Sequence, residues 1–250
     1  MRGADRTAPA PRVALAAAGA IAAGVLAGCS AGTPEPVAKP PYTVETIRSG
    51  FVGAADLGKG AIAFEDDDHA SHTIYTPPNS IPTCPYVQRS DDVQVPVEPA
   101  VEPVGGNPTG RFIVAPPKVG PQTLPVVTQG AVVFESTTLA GNAMNAVTAE
   151  SAKCPATFTI LGGPPSIVGG YTTGSRPFEL DGWRGFAQHL VHTPPADLGS
   201  DTYDDLVTVV VQKANAVLYV GYTQIKKVGE RSDTEEKVKD LMTTTLARLG

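Results

Sequence analysis

Apolar residues along this 250-residue chain fall into two rhythms, one helical and one alternating. Thr43 precedes Val44, Ile47, Phe51, Val52 and Ala55, an i, i+3, i+7, i+8 spacing that predicts a short amphipathic helix over 43–58 capped by Thr43. AIAFE (61–65) alternates as a strand does. VVTQGAVVFES (126–136) predicts a strand that runs into a helix over 137–154, with Leu139, Ala140, Ala143, Met144 and Val147 on one face. TFTIL (157–161) and GWRGFAQHLVHT (182–193) predict two further strands. In LVTVVVQKANAVLYVGYT (206–223), two Val-rich arms flank Gln212–Asn215, which predicts a hairpin whose turn Asn215 can serve. The last segment, 232–249, predicts a helix with Ser232 and Glu235 as a capping box. Its inward stripe is Val238, Leu241, Met242, Thr245 and Leu249. Strands in consecutive antiparallel order, with helices at the start, middle and end, predict one α+β domain over 42–250, an antiparallel β-sheet packed with helices.

Two stretches break the rhythm. Residues 66–92 are acidic and turn-rich and contain Cys84. Residues 94–125 hold eight prolines, including the imperfect repeat VPVEPAVEPV. Proline cannot donate to a ladder, so this stretch predicts an extended edge excursion or loop, interrupted by a strand at RFIVA (111–115).

The start of the chain has a different character. Residues 1–12 carry arginines, and residues 13–26 are uncharged and apolar. Fourteen such residues are too few to span a bilayer as a helix but match the apolar region of a signal peptide. The run ends in Leu26-Ala27-Gly28-Cys29, which resembles, residue for residue, the lipobox of bacterial lipoproteins. That resemblance implies diacylglyceryl attachment to the Cys29 thiol, cleavage between Gly28 and Cys29, and a mature protein held on the outer face of the cell membrane through acylated Cys29. Residues 1–28 are then the signal peptide. Residues 29–41, which contain SAGTPEPVAKPP, form a Pro-rich tether.

Charge narrows the partners. The whole chain carries −6; its first 28 residues hold three arginines against one aspartate, so the body from Cys29 onward carries −8. An acidic body repels phosphate backbones, and nucleic acid is excluded as an expected partner. Cys29 is taken by the lipid, which leaves Cys84 and Cys154 as an even pair in an oxidising compartment. A bridge would close a loop of about 70 residues, worth roughly 4 kcal/mol in the chain-entropy model. Two buried thiols or half of a metal site are the competing readings.

Candidate chemistry is sparse. FEDDDHASH (64–72) sets Asp66 and Asp68 beside His69 and His72, weak metal candidates because hard oxygen and imidazole donors suit different ions. An acidic solvated turn explains the stretch as well. His189 and His192 lie three apart in a predicted strand, so they face opposite sides and cannot share an ion. No nucleophile elbow, S-x-x-K, H-E-x-x-H or phosphate loop occurs, and neither enzymatic activity nor a cofactor is expected. Tyr171, Tyr203, Tyr219, Tyr222 and Trp183 suit a core or the lining of a pocket.

The order SGFVGAADLGKG, Cys84, VVFESTTLAGNAMNAVTAESAKC, then VVVQKANAVLYVGY before an amphipathic helix resembles actinobacterial sensor-type lipoproteins. It is similar to the extracellular sensor domain of a mycobacterial membrane serine/threonine kinase, over roughly residues 43–249. The resemblance implies an antiparallel sheet with helices and a cleft for a small envelope ligand or lipid. This chain departs from the pattern in two places. Glu150-Ser151-Ala152-Lys153 stands where a tryptophan often precedes the cysteine, and the cysteines of a second disulfide are lacking. No kinase or membrane-spanning segment follows, so signalling would need a partner. Docking of an envelope protein through the Pro-rich 94–125 segment is the alternative expectation.

Overall fold

In the central hairpin, nearly every position between Leu206 and Thr223 is apolar or buried, with no polar face. An antiparallel strand reads that way only when the sheet is covered on both sides. The computed structural model describes residues 41–65, 79–84, 100–115, 125–160, 169–194, 199 and 201–250, and it shows this double cover. Lys39–Gly250 form one compact unit.

Along the chain the elements are α1 (Val44–Gly50), α2 (Ala54–Leu57), β1 (Ile62–Glu65), β2 (Ile81–Pro82), β3 (Ala100–Val101), β4 (Gly106–Ala115) and β5 (Val126–Phe134). Then come α3 (Thr137–Ser151), β6 (Thr157–Ile160), β7 (Gly169–Leu180), β8 (Trp183–Thr193), β9 (Thr202–Lys213), β10 (Ala216–Lys227) and α4 (Thr234–Leu249). Eight strands form one antiparallel sheet in the order β1-β4-β5-β10-β9-β8-β7-β6, while β2 and β3 pair separately. The α+β expectation holds.

Alternation assigns the two faces. Val207, Val209, Val211, Leu218, Val220 and Tyr222 meet α1 and α4 through Ile47, Val238, Leu241, Met242 and Leu246. Val210, Val217 and Tyr219, with Val132, Phe134 and Phe186, meet α3 and β2 through Ala140, Met144, Val147 and Ile81. The result is three layers around one sheet. Tyr219 and Tyr222 point to opposite faces, and both are buried.

Several elements differ from the sequence expectation. The helix predicted over 43–58 breaks into α1 and α2, because Phe51 leaves helical geometry at ψ 142°. At the break, Val52 N–H donates to Gln129 Oε1 at 3.0 Å, and Gln129 Nε2 donates to Val52 O at 2.6 Å, so a buried amide replaces the helical bonds. Gly50 lets α1 cross close to α4: a Cβ there would sit 2.6 Å from Leu249 Cδ2 and 3.2 Å from the Thr245 carbonyl oxygen.

Where it is described, the Pro-rich stretch contains the expected strand at 111–115, and its pairing extends further than expected. Residues 106–115 form β4 of the main sheet, and Ala100–Val101 pair with β2. Pro108 is tolerated because, among the described residues, β1 pairs only with Phe112–Ala115, and Pro108 lies beyond that pairing beside a register shift at Pro108/Arg111. The remainder of 94–125 lies outside the described residues.

Leu139 is 37% exposed, and the buried face of α3 is Ala140, Met144, Val147 and Ser151. The expected Ser232–Glu235 capping box is replaced. Asp233 is the N-cap residue without a side-chain cap bond, its carboxylate lies 2.7 Å from Lys226 Nζ, and Glu235 binds Arg176. The hairpin turn is two residues, Ala214 and Asn215, and Ala214 takes the left-handed conformation at φ 49°. Asn215 instead turns its amide inward. Strand β7 was not expected at all.

Candidate functional site

The groove that offers a binding site lies along one flank of α3. The helix starts where the chain leaves β5, with Ser136 Oγ accepting from Leu139 N–H at 3.2 Å. It lies across the sheet on Ala140, Met144 and Val147. After Ser151 the chain turns, and Cys154 is bonded to Cys84 in a disulfide with Cα atoms 5.9 Å apart. The bridge holds residues 80–84 against the sheet, where Ser80, Ile81, Thr83 and Cys84 are all buried. The expected pairing is therefore formed, and it closes one end of the groove.

Under that end sits Gln188 of β8, 1% exposed. Its Nε2 donates to the Thr83 carbonyl and, at 2.6 Å, to Ser151 Oγ, with Cys154 Sγ at 3.7 Å. A carbonyl partner demands the amide nitrogen, which fixes the side chain's orientation. Gln188 Oε1 is then left buried with no hydrogen-bond partner. An unpaired buried acceptor of this kind costs about 1–3 kcal/mol.

Gln188 lines a hollow of about 260 Å³, with Ser151 and Ala152 from α3, Cys154 and Ala156 from the following turn, and Thr173–Ser175 of β7. A second hollow of about 420 Å³ continues past Ser175. Met144 and Thr148 of α3 bound it on one side and Ser175–Pro177 of β7 on the other, over a floor of Gly185, Phe186 and Gln212. Ser175 belongs to both. Among the described residues, the first hollow contains no ionisable side chain. On the second, Arg184 pairs with Glu179 at 3.1 Å, and Arg176 reaches Glu235 at 2.6 Å. The groove is a slot of neutral polar groups with an apolar flank, bounded by neutralised arginines.

The two histidines of β8 face opposite sides, as alternation requires. His189 Nε2 lies 2.5 Å from Asp205 Oδ1, and Thr234 Oγ1 donates to Asp205 Oδ2 at 2.7 Å, which ties α4 to the sheet. Burial pushes the Asp205 carboxyl up, but hydrogen bonds from His189, Ser232 and Thr234 outweigh it and hold the group below the usual carboxylate range. On the other face His192 Nδ1 lies 2.9 Å from Asp204 Oδ2, and its ring stacks on Tyr171 with centroids 4.4 Å apart. Neither histidine has a serine, threonine or cysteine side chain in hydrogen-bond contact among the described residues.

Tyr171, Tyr219, Tyr222 and Trp183 are core residues and do not line the groove. Gly28, Cys29, Asp66, Asp68, His69 and His72 lie outside the described residues. Among the described residues no group of three or more His, Cys, Asp or Glu side chains is placed to hold a metal, and no helix is long and apolar enough to cross a membrane.

Sequence reasoning missed Gln188 and β7. A lone glutamine in a strand carries no motif. β7 did have a signal: Asp181-Gly182, both at positive φ (50° and 77°), is the two-residue turn that joins β7 to β8.

No protein-family model matches the sequence, nor does any curated protein. Among solved structures, the fold matches the extracellular domain of PknH from Mycobacterium tuberculosis with a TM-score of 0.51 at 11% identity, over 84% of this chain and 97% of that one. At that identity the likeness is one of fold, an antiparallel sheet with helices on both faces, and it agrees with the resemblance carried by the sequence segments.

Proposed function

We propose that this protein is a membrane-anchored extracytoplasmic lipoprotein with a sensor-like binding domain, and that it takes a small envelope ligand in the groove beside α3. Cys29 carries the anchor and residues 29–41 are the tether, a reading supported by the lipobox sequence. The fold it shares with the extracellular domain of PknH supports a sensing role outside the membrane. The observation that carries the site is Gln188: a buried acceptor left unpaired beside an open hollow is satisfied when a ligand or its bridging water supplies a donor. The role is binding and not catalysis. Its support is that neither His189 nor His192 has a serine, threonine or cysteine side chain in hydrogen-bond contact among the described residues, each imidazole instead facing an aspartate.

The test uses the full-length lipoprotein, extracted in mild detergent from an actinobacterial host and weighed by native and then denaturing mass spectrometry. The wild type is expected to carry an extra mass that denaturation releases. Ser175→Trp, which fills the point shared by both hollows, is expected to lose it, and so is Gln188→Leu. An extra mass retained by both variants, or none on the wild type, would refute the site.

A further inference from the structure

Among the described residues, one wall of the groove is an unpaired sheet edge. β6 pairs with β7 only from Gly169 to Thr172, and Thr173 N–H then donates to Ala156 O at 2.8 Å, the last bond before the chain turns away toward α3. In an antiparallel ladder the N–H and C=O of one residue point to the same side, and successive residues alternate. Since Thr173 points outward, so do Ser175, Pro177 and Glu179. Among the described residues no strand follows along that side, and all three are exposed. The edge offers the Ser175 and Glu179 N–H groups and three carbonyls over about 13 Å. α3 flanks the same stretch, so the two hollows lie on one side of any strand laid there.

We propose that the groove's occupant is an extended, uncharged polypeptide segment that adds to the sheet along β7, an assignment that rests on the binding reading above. Unpaired main-chain donors and acceptors in strand phase are matched by another main chain, and flanking hollows take its alternate side chains. Charge selects the same occupant. Among the described residues the first hollow has no ionisable side chain, and Arg176 and Arg184 on the second are each paired with a carboxylate, Glu235 and Glu179. A neutral segment is complementary, with a small polar side chain toward Gln188 and an apolar one two residues along toward Met144 and Pro177. Pro177 removes one outward donor, so the segment pairs on either side of it.

The probe is a display library of random nonapeptides, selected on the full-length lipoprotein in detergent. Enriched peptides are expected to be uncharged at their centre and to slow amide exchange at Ser175 and Glu179 at least tenfold. Ser175→Pro removes an outward N–H that, among the described residues, bonds no other strand, and is expected to weaken binding at least tenfold with an unchanged thermal midpoint. Ser175→Ala, which keeps the N–H, is expected to bind within twofold of wild type. If no peptide is enriched while a co-purified small molecule is lost from Ser175→Trp, the peptide assignment is overturned and the binding reading stands. If peptides bind Ser175→Pro, Ser175→Trp and Gln188→Leu alike, the site is elsewhere and both are overturned. A dimer dissolved by Ser175→Pro would make the occupant a second copy of this chain and would also overturn the proposal.

Discussion

Asn215 should be among the most sensitive side chains in the protein, because its one amide ties two separate parts of the chain to the central hairpin. It is fully buried. Its Oδ1 accepts from Tyr42 N–H at 3.1 Å, and its Nδ2 donates to Tyr42 O at 3.0 Å and to Phe134 O at 2.9 Å. Those bonds fasten the residue that leads into α1 and the end of β5 to the central hairpin. Replacing Asn215 by Ala removes all three and strands two carbonyls and an N–H in a dry core. At about 1 kcal/mol per bond, plus the penalty for buried groups left unpaired, the loss is about 3–5 kcal/mol. That is a large fraction of a typical domain's stability.

Asn215→Asp sharpens the test. It keeps the shape and the acceptor for Tyr42 N–H but turns an oxygen toward the Tyr42 and Phe134 carbonyls. Burial and those two dipoles would raise the new carboxyl's pKa in the folded state above the unfolded value of about 3.9. A group raised on folding stabilises below its unfolded pKa, and that contribution fades as pH rises through the folded one. Asn215→Asp should therefore be markedly less stable at pH 7 than at pH 4, relative to wild type, while Asn215→Ala should lose the same amount at both. Urea unfolding followed by Trp183 emission measures this directly. Trp183 is the single tryptophan, 1% exposed, with its ring 5.4 Å from that of Tyr42. A loss below 1 kcal/mol for Asn215→Ala, or a pH-independent loss for Asn215→Asp, would refute the clamp.

Two further outcomes follow from the backbone and the surface. Ala214 holds φ 49°, a conformation that costs a non-glycine residue about 1–2 kcal/mol, so Ala214→Gly should stabilise by about 0.5–1 kcal/mol after its added unfolded-state entropy, read as a higher thermal midpoint. The Asp233 carboxyl is lowered from 3.8 to about 2, first by its hydrogen bond from Lys226 and then by Gln224. Its contribution is present above about pH 4 and is lost as pH falls toward 2. Because the side chain is 40% exposed, solvent screening limits it to about 1 kcal/mol. Asp233→Asn should flatten that part of the acid-unfolding curve, and an unchanged curve would count against the ion pair.

What the sequence disclosed depended on how each element is buried. The β9–β10 hairpin was legible because both its faces are covered, leaving an almost unbroken Val-rich run. α3 and α4 were legible because each has one apolar stripe against the sheet. The Cys84–Cys154 bridge followed from an even count once Cys29 was set aside. Local caps and breaks were less legible, since Asp233 and Gln129 take distant partners, Lys226 and Val52, that no local pattern reveals. β7 was obscured for the opposite reason. From Gly174 to Pro177 it is exposed and, among the described residues, paired with a strand on one side only, so Gly174, Arg176 and Pro177 are tolerated there and break the strand pattern.

The same exposure that hid β7 shapes the groove. A site built from catalytic side chains leaves a motif, because the chemistry fixes residue types. A site built from a sheet edge fixes only that the neighbouring strand stops, and here it stops because the chain between β6 and α3 is drawn away to the Cys84–Cys154 bridge. Among the described residues, Gln188 marks the proposed site in side-chain chemistry, through an acceptor left unpaired. Its Nε2 is committed to Thr83 O, a carbonyl fixed one residue from the disulfide. The bridge therefore lies where the described pairing along β7 ends, and it adjoins the carbonyl that sets the orientation of the Gln188 amide beneath the groove. Its role extends beyond closing a long loop, because it adjoins the two features on which recognition at this groove would depend.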